Sequence, residues 1–139
     1  MKTWSLMYIL IWVAFAEILI GVTPALYFLV LFGIHPLLGL AVLVLAYLVY
    51  SQVKATSCPD RIKRITKTTF VLGVFQGVLG AVLFAAVFMQ LWAGVIEIIG
   101  FLHVVNALAI ITQASSSATA FDMWEEKEFL TSQAPAGTV

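Results

Sequence analysis

The sequence predicts an all-α fold, a four-transmembrane-helix antiparallel bundle, because its composition is too apolar for a soluble domain of this length. Hydrophobic residues make up 63% of the 139 residues and charged residues 10%, and the mean hydropathy is +1.08. A soluble domain cannot bury that share of apolar surface, so we expect an integral membrane protein with one compact domain. The formal net charge is zero, which gives no indication of a nucleic-acid partner. The single Cys58 excludes an internal disulfide and a cysteine-only metal site.

Four apolar stretches cover residues 4–32, 36–53, 69–92 and 96–120. A helix that rises about 1.5 Å per residue crosses about 30 Å of hydrocarbon over each of them. They lack the alternation of membrane strands, and the short connections near Gly33 and Gly94 predict two helical hairpins. We therefore expect a transmembrane domain over residues 1–120 and a cytoplasmic C-terminal tail over 121–139. The first stretch resembles a signal peptide, but its apolar run continues well past Ala16, so we interpret it as an uncleaved span.

The basic residues predict how the chain is oriented in the cell membrane. Five of the seven lie between the second and third stretches, and none lies in the two hairpin turns: Lys54, Arg61, Lys63, Arg64 and Lys67. Cytoplasmic loops of membrane proteins carry an excess of Lys and Arg. We therefore expect a multi-pass protein with both termini and the central loop in the cytoplasm, and with both hairpin turns outside.

The two histidines of the chain occupy matching positions. His35 and His103 each precede, by four residues, a small residue that is followed by Leu-Ala; the small residues are Gly39 and Ala107. Both histidines open the outer ends of helices that run in the same direction, roughly 25–28 Å from the cytoplasmic ends. A histidine in lipid is costly unless it has a partner, and paired histidines on two helices are typical ligands of haem iron. We predict that His35 and His103 bind one haem b, with Gly39 and Ala107 leaving room for the porphyrin.

The repeat extends upstream of the histidines and indicates a tandem duplication of a helical hairpin. Glu17 precedes Gly21 by four residues, just as Gln76 precedes Gly80, and a histidine opens the next helix in each half. The offset between halves is 59 residues at the glycines and 68 at the histidines, so we expect an insertion near residues 91–97. The repeats at about 4–53 and 69–120 should superpose, with the glycines at helix contacts.

Two carboxylates are candidate catalytic groups. Glu17 lies within the first span, where it can orient a histidine, relay a proton, or stay neutral and bond to a neighbouring helix. Glu97 precedes His103 by six residues and lies near the outer turn, where it can simply face water. The fourth helix also carries His103, Asn106, Gln113 and Ser117 on one face, which suits either interhelical hydrogen bonds or a cofactor or quinone site.

Two motifs carry a resemblance to half of a heme A synthase. The stretch from Gln76 to Ala81 resembles the family's Gln-x-x-x-Gly-Ala, and His103 to Ala107 resembles its His-x-x-x-Ala. The resemblance covers about residues 8–120 and implies haem ligation by His35 and His103, with a homodimer in place of the two-half chain. Arginine commonly follows the family's ligating histidine, whereas Pro36 and Val104 stand here. Glu97 matches the family's catalytic glutamate only approximately, and the outer cysteine pair is absent.

Three functions remain open at this point. The first is a haem-binding membrane protein that transfers electrons, with quinone as one partner, or that modifies haem in a respiratory system. The second is a non-catalytic accessory subunit of a larger membrane complex, in contact with other membrane subunits. The third is a small transporter, which only Glu17 and the duplication favour.

Overall fold

The computed structural model describes residues 2–23 and 33–133, and this part of the chain forms four helices and no strand. They are α1 (Thr3–Gly21), α2 (His35–Lys54), α3 (Asp60–Phe88) and α4 (Ala93–Gln133). Each helix is long and apolar enough to cross a membrane. The protein is therefore an all-α, multi-pass membrane protein, as the composition predicted.

The helices form an antiparallel bundle in which each packs chiefly against its two neighbours in chain order, and α4 closes the ring against α1. Thr3 at the start of α1 donates a hydrogen bond to Gln52 near the end of α2, with 3.2 Å between Oγ1 and Oε1. In the same way, Gly73 of α3 packs against Leu43 of α2. Because neighbours alternate around the ring, α1 lies diagonally opposite α3, and α2 lies diagonally opposite α4.

The connection between α2 and α3 is shorter than predicted. Helix α3 begins at Asp60, nine residues before the predicted start of the third span. Four of the five basic residues assigned to a loop therefore lie in its first turns, and the prediction of a long basic loop was wrong. Lys and Arg are good helix formers, so α3 continues past the end of its apolar segment. Asp60 in the first turn also interacts favourably with the positive end of the helix dipole.

The first span also differs from its prediction, because α1 ends at Gly21 rather than at residue 32. The predicted kink at Pro24 lies outside the described residues.

The turn from α3 to α4 is built around Gln90 rather than Gly94. Gln90 has a φ of 53°, and the N–H of Leu91 bonds the carbonyl of Ala86 while the N–H of Gln90 bonds that of Val87. These two bonds form the Schellman motif, whose left-handed position is usually glycine. Gly94 instead lies in the first turn of α4.

Burial repeats between the two halves of the chain, as a duplication requires. The buried residues of α2 are Val42, Ala46, Val49 and Val53, and the residues 68 positions later in α4 are also buried: Ile110, Ala114, Ser117 and Phe121. Four buried residues of α1 have buried counterparts 59 positions later in α3: Met7 and Thr66, Leu10 and Thr69, Ala14 and Gly73, and Glu17 and Gln76. These are the two offsets that the sequence motifs gave.

Most of the apolar core lies in the half of the bundle near the α2–α3 connection. Cys58, in that connection, is 2% exposed, and Phe121 is 1% exposed and packs on Trp124 with ring centres 5.3 Å apart. The predicted domain boundary at residue 120 therefore falls inside α4, which continues without a break to Gln133.

Ala46 and Ala114 occupy equivalent core positions, so Ala46→Leu and Ala114→Leu should have similar effects. Each alanine is 1% exposed, and overpacking a close-packed interior typically costs about 1–3 kcal/mol. Thermal unfolding in detergent should show a similar fall in Tm for both variants. Ala85→Leu on the exposed side of α3 is the control and should leave Tm nearly unchanged. A normal Tm for either core variant would contradict the structural equivalence of the halves.

Candidate functional site

Each helix contributes one polar side chain to a single cluster at the end of the bundle opposite the α2–α3 connection. These side chains are Glu17 on α1, His35 on α2, Gln76 on α3 and His103 on α4. The two imidazole rings meet across the bundle axis, with centres 6.0 Å apart and planes inclined by 67°. The structure thus brings together the two histidines that the sequence singled out, and it adds Glu17 and Gln76 as their neighbours.

In the first half, the side chain of Glu17 faces His35. Glu17 is only 6% exposed, and its Oε1 lies 3.5 Å from Nδ1 of His35. The two groups are in electrostatic contact but outside hydrogen-bond geometry, since Nδ1 is buried without a hydrogen-bond partner among the described residues. Gly39 lies beside the same carboxylate, 3.7 Å from Oε1 at the position that a Cβ would take. Of the roles left open for Glu17, its position favours orienting His35.

In the second half, a chain of amide groups holds His103. Asn106 donates from Nδ2 to the carbonyl of Leu72 (3.1 Å) and to Oε1 of Gln76 (2.8 Å). Nε2 of Gln76 then lies 3.2 Å from Nε2 of His103. An amide nitrogen only donates, so in this arrangement Nε2 of His103 accepts and Nδ1 carries the ring proton.

The Nδ1 atom of His103 is consequently an orphan. It is buried, and no described residue offers it a hydrogen bond. A buried polar atom without a partner is uncommon and costs free energy, about 1–3 kcal/mol for a neutral group. The orphan is the feature of this site that most directly indicates a missing ligand.

Two glycines let the histidine rings lie directly against helix backbones. A Cβ on Gly21 would be 2.9 Å from Cε1 of His35, and a Cβ on Gly80 would be 3.3 Å from Cε1 of His103. The glycines are 59 residues apart, so each half places a glycine against its own histidine in the same way. Gly77 differs, because nothing lies within 4 Å of its Cβ position, and the expectation that every glycine of α3 lies at a helix contact was wrong for it.

A small cavity of about 10 Å³ lies on the bundle axis next to the polar cluster. Its lining consists of four pairs of equivalent residues: Ala14 and Gly73, Glu17 and Gln76, Gly39 and Ala107, and Val42 and Ile110. A cavity of this size holds about one water molecule. The cavity also places Gly39 and Ala107, the predicted porphyrin contacts, opposite each other beneath the two histidines.

The remaining candidates lie away from the cluster or bond locally. Glu97 is exposed on α4, nearly two turns before His103, and no ion pair joins it to another described residue. Asn106 makes the interhelical bond that its face of α4 predicted, whereas Ser117 donates to the carbonyl of Ala114 in its own helix. The partnership of Asn106 with Gln76 was not predicted, although both residues are polar in apolar stretches.

The cluster also contains a ligand set that can hold a metal ion. Glu17, His35 and His103 each offer one ligand atom, and these atoms lie within 4.8 Å of one another. Two imidazoles and a carboxylate bind zinc or non-haem iron in many proteins, and two imidazoles alone bind haem iron.

Comparisons with protein-family models, curated proteins and solved structures gave no match to this chain.

Substitution of the ring-packing glycines should perturb one histidine at a time. In protein labelled with ¹³C at histidine Cε1, Gly21→Ala should shift the His35 signal and Gly80→Ala the His103 signal, because each new methyl group displaces its own ring. Only two such signals exist in the chain, so His35→Gln and His103→Gln assign them.

Gly77→Ala is the control, since its added methyl group meets nothing within 4 Å. Equal shifts of both signals in all three variants would show that the rings are not held against these two glycines.

Proposed function

We propose that this membrane protein binds one haem b through His35 and His103, between α2 and α4, and acts in electron transfer or haem modification in a respiratory system. The observation that carries the proposal is the 6.0 Å separation of the two rings across the bundle axis. Bonds from imidazole nitrogen to a metal are about 2 Å long, so two imidazoles on opposite sides of one ion have ring centres about 6 Å apart.

Three further features support haem rather than a purely structural cluster. His103 has an orphaned buried nitrogen, and both histidines pack on glycines that hold their rings in place. Gly39 and Ala107, one turn from each histidine, are the smallest residues available where a flat macrocycle needs space. The cavity beneath the rings is about the size of one water, so haem binding requires α2 and α4 to separate at this level.

The protein's own residues have distinct roles in this proposal. Asn106 and Gln76 form a hydrogen-bonded chain that fixes the orientation of His103. Glu17 orients His35 and supplies a carboxylate beside it, where a proton can be held. A haem with two histidine ligands exchanges single electrons and leaves no open iron position for oxygen. Quinone, other membrane subunits or a homodimer partner are the proposed exchange partners.

A second candidate function is a site for a single zinc or iron ion, which the convergence of Glu17, His35 and His103 favours. The two candidates differ in the role of Glu17. It is a metal ligand in the small-ion site, but it only orients His35 in the haem site. Glu17→Gln therefore separates them, because an amide is a poor metal ligand yet still fills the same volume.

Absorption spectra and metal analysis of the purified protein test the proposal. We expect a reduced spectrum of six-coordinate haem b that His35→Ala and His103→Ala abolish. Glu17→Gln should retain haem, and so should Gln113→Ala, a polar substitution on α4 distant from the cluster. Ala107→Leu should reduce haem content, because its larger side chain fills the gap beneath the histidines.

Stoichiometric zinc or iron without porphyrin, lost in Glu17→Gln, would instead establish the small-ion site. A protein that contains neither haem nor metal after expression with haem supply would favour the accessory-subunit function.

We also propose that both termini and the α2–α3 connection are cytoplasmic, on the basis of the basic residues at that end of the bundle. Cys58 is buried and cannot report the orientation, so the test uses a Cys58→Ser background. On intact cells, a membrane-impermeant thiol reagent should label Met89→Cys in the exposed α3–α4 turn and leave Ser132→Cys at the end of α4 unlabelled. Both should react after lysis, and the reverse pattern on intact cells would invert the proposed orientation.

A further inference from the structure

A second concave feature, independent of the histidine cluster, lies at the other end of the bundle. It is a groove of about 470 Å³ between the last turns of α2 and the first turns of α3. Its lining residues are Tyr50, Lys54, Asp60, Lys63, Arg64 and Lys67. We refer to these six residues as the basic groove. His35 and Lys54 are the two ends of α2, so the basic groove and the polar cluster are about 30 Å apart along the helix.

Helix geometry explains why these residues share one surface. Positions 60, 63, 64 and 67 are three or four residues apart, so their side chains lie on one face of α3. Tyr50 and Lys54 are one turn apart on α2 and face that row. Between the two helices, Val53 is fully buried and Ile62 is 4% exposed, so the base of the groove is the apolar core.

The basic groove has an excess of positive charge that the protein itself does not neutralise. It has four cationic side chains and one carboxylate, Asp60, whereas the whole chain has a formal net charge of zero. Within residues 2–23 and 33–133, none of these cations forms an ion pair with a carboxylate. Clustered cations repel one another, so an anion in the groove would stabilise this arrangement.

An apolar surface continues from the groove along the α2–α3 contact toward the middle of the bundle. The ring of Phe70 stacks on Tyr50 (centres 6.2 Å apart, planes inclined by 4°) and contacts Tyr47 at 5.5 Å. Tyr47 is 51% exposed, and Val74, one turn beyond Phe70, is 44% exposed. A cationic groove that leads directly into exposed aromatic and aliphatic surface matches a molecule with an anionic head and apolar chains.

We propose that the basic groove binds the phosphate headgroup of an anionic phospholipid, whose acyl chains lie along the exposed surface formed by Tyr47, Phe70 and Val74. Lys63 and Arg64 are central to the groove and would contact the phosphate, with Arg64 able to offer two parallel N–H donors. The Tyr50 hydroxyl is one further hydrogen-bond donor at the same level. Basic pockets between transmembrane helices bind anionic lipid headgroups in this way.

The test is a lipid titration of the full-length purified protein in detergent, read by native mass spectrometry. Phosphatidylglycerol should bind as one retained molecule per chain, and phosphatidylcholine with identical acyl chains should bind at least tenfold more weakly. Each cation near an anionic lipid contributes about 1 kcal/mol, or about fivefold in affinity. The double variant Lys63→Gln/Arg64→Gln should therefore bind phosphatidylglycerol about 25-fold more weakly.

Lys127→Gln is the matched control, because it removes a cation from exposed α4 outside the groove and should change affinity less than twofold. If the first double variant does not fold, as judged by helix content, Lys54→Gln/Lys67→Gln provides the same measurement. Inorganic phosphate at millimolar concentration should not displace the lipid, since it lacks the apolar contacts.

Three results would overturn the proposal: equal binding of both lipids, the same loss in Lys127→Gln as in the groove variants, or displacement by inorganic phosphate. The last result would identify a simple anion site in place of a lipid site.

Discussion

The structure depends on the need of its buried polar side chains to satisfy one another inside an apolar bundle. Lipid offers no hydrogen bonds, so polar groups within a span must find partners in the protein. Glu17, His35, Gln76 and His103 come from four different helices and meet at one level, which fixes the rotation of every helix about its own axis. A rotation of any one helix by half a turn would place a polar side chain in lipid. Glycines at positions 21 and 80 make the meeting close, because no Cβ separates the rings from the neighbouring backbone.

Duplication explains the framework of the bundle, and departures from it explain the asymmetry of the site. The buried apolar positions of α2 recur in α4 at one constant offset, but the polar cluster is not a faithful copy. Glu17 corresponds to Gln76, and Asn106 corresponds to Leu38, which has no polar group. His103 is therefore held by an amide chain, whereas His35 faces a carboxylate and retains 23% exposure of its side chain. The two histidines are equivalent in position but not in chemistry, and proton exchange is favoured on the His35 side.

Much of this arrangement could be predicted from the sequence, and the errors have physical causes. Composition and segment length predicted the four helices, and the repeated motifs predicted the meeting of His35 and His103. The start of α3 was missed because hydropathy locates the hydrocarbon-crossing part of a helix, while the helix itself continues through residues such as Arg61 and Lys63 that favour it. The bond between Asn106 and Gln76 was missed because it depends on the relative rotation of α3 and α4, which no local pattern specifies. Gln90 in a left-handed cap was missed for a related reason, since sequence preference favours glycine there.

The distribution of charge gives the two ends of the molecule different requirements. All seven Lys and Arg residues lie within residues 2, 54–67 and 127, so every one is far from the histidines along its helix. A haem carries two carboxylates, and nothing at the histidine end of this chain can pair them with a cation. Those carboxylates would have to face water or meet a cation supplied by another chain, whether a second copy or a different subunit. The basic end has the opposite character, with cations that lack carboxylate partners among the described residues. An anionic lipid there would neutralise one end of the bundle, while haem retention at the other end would depend on what lies beside it in the membrane.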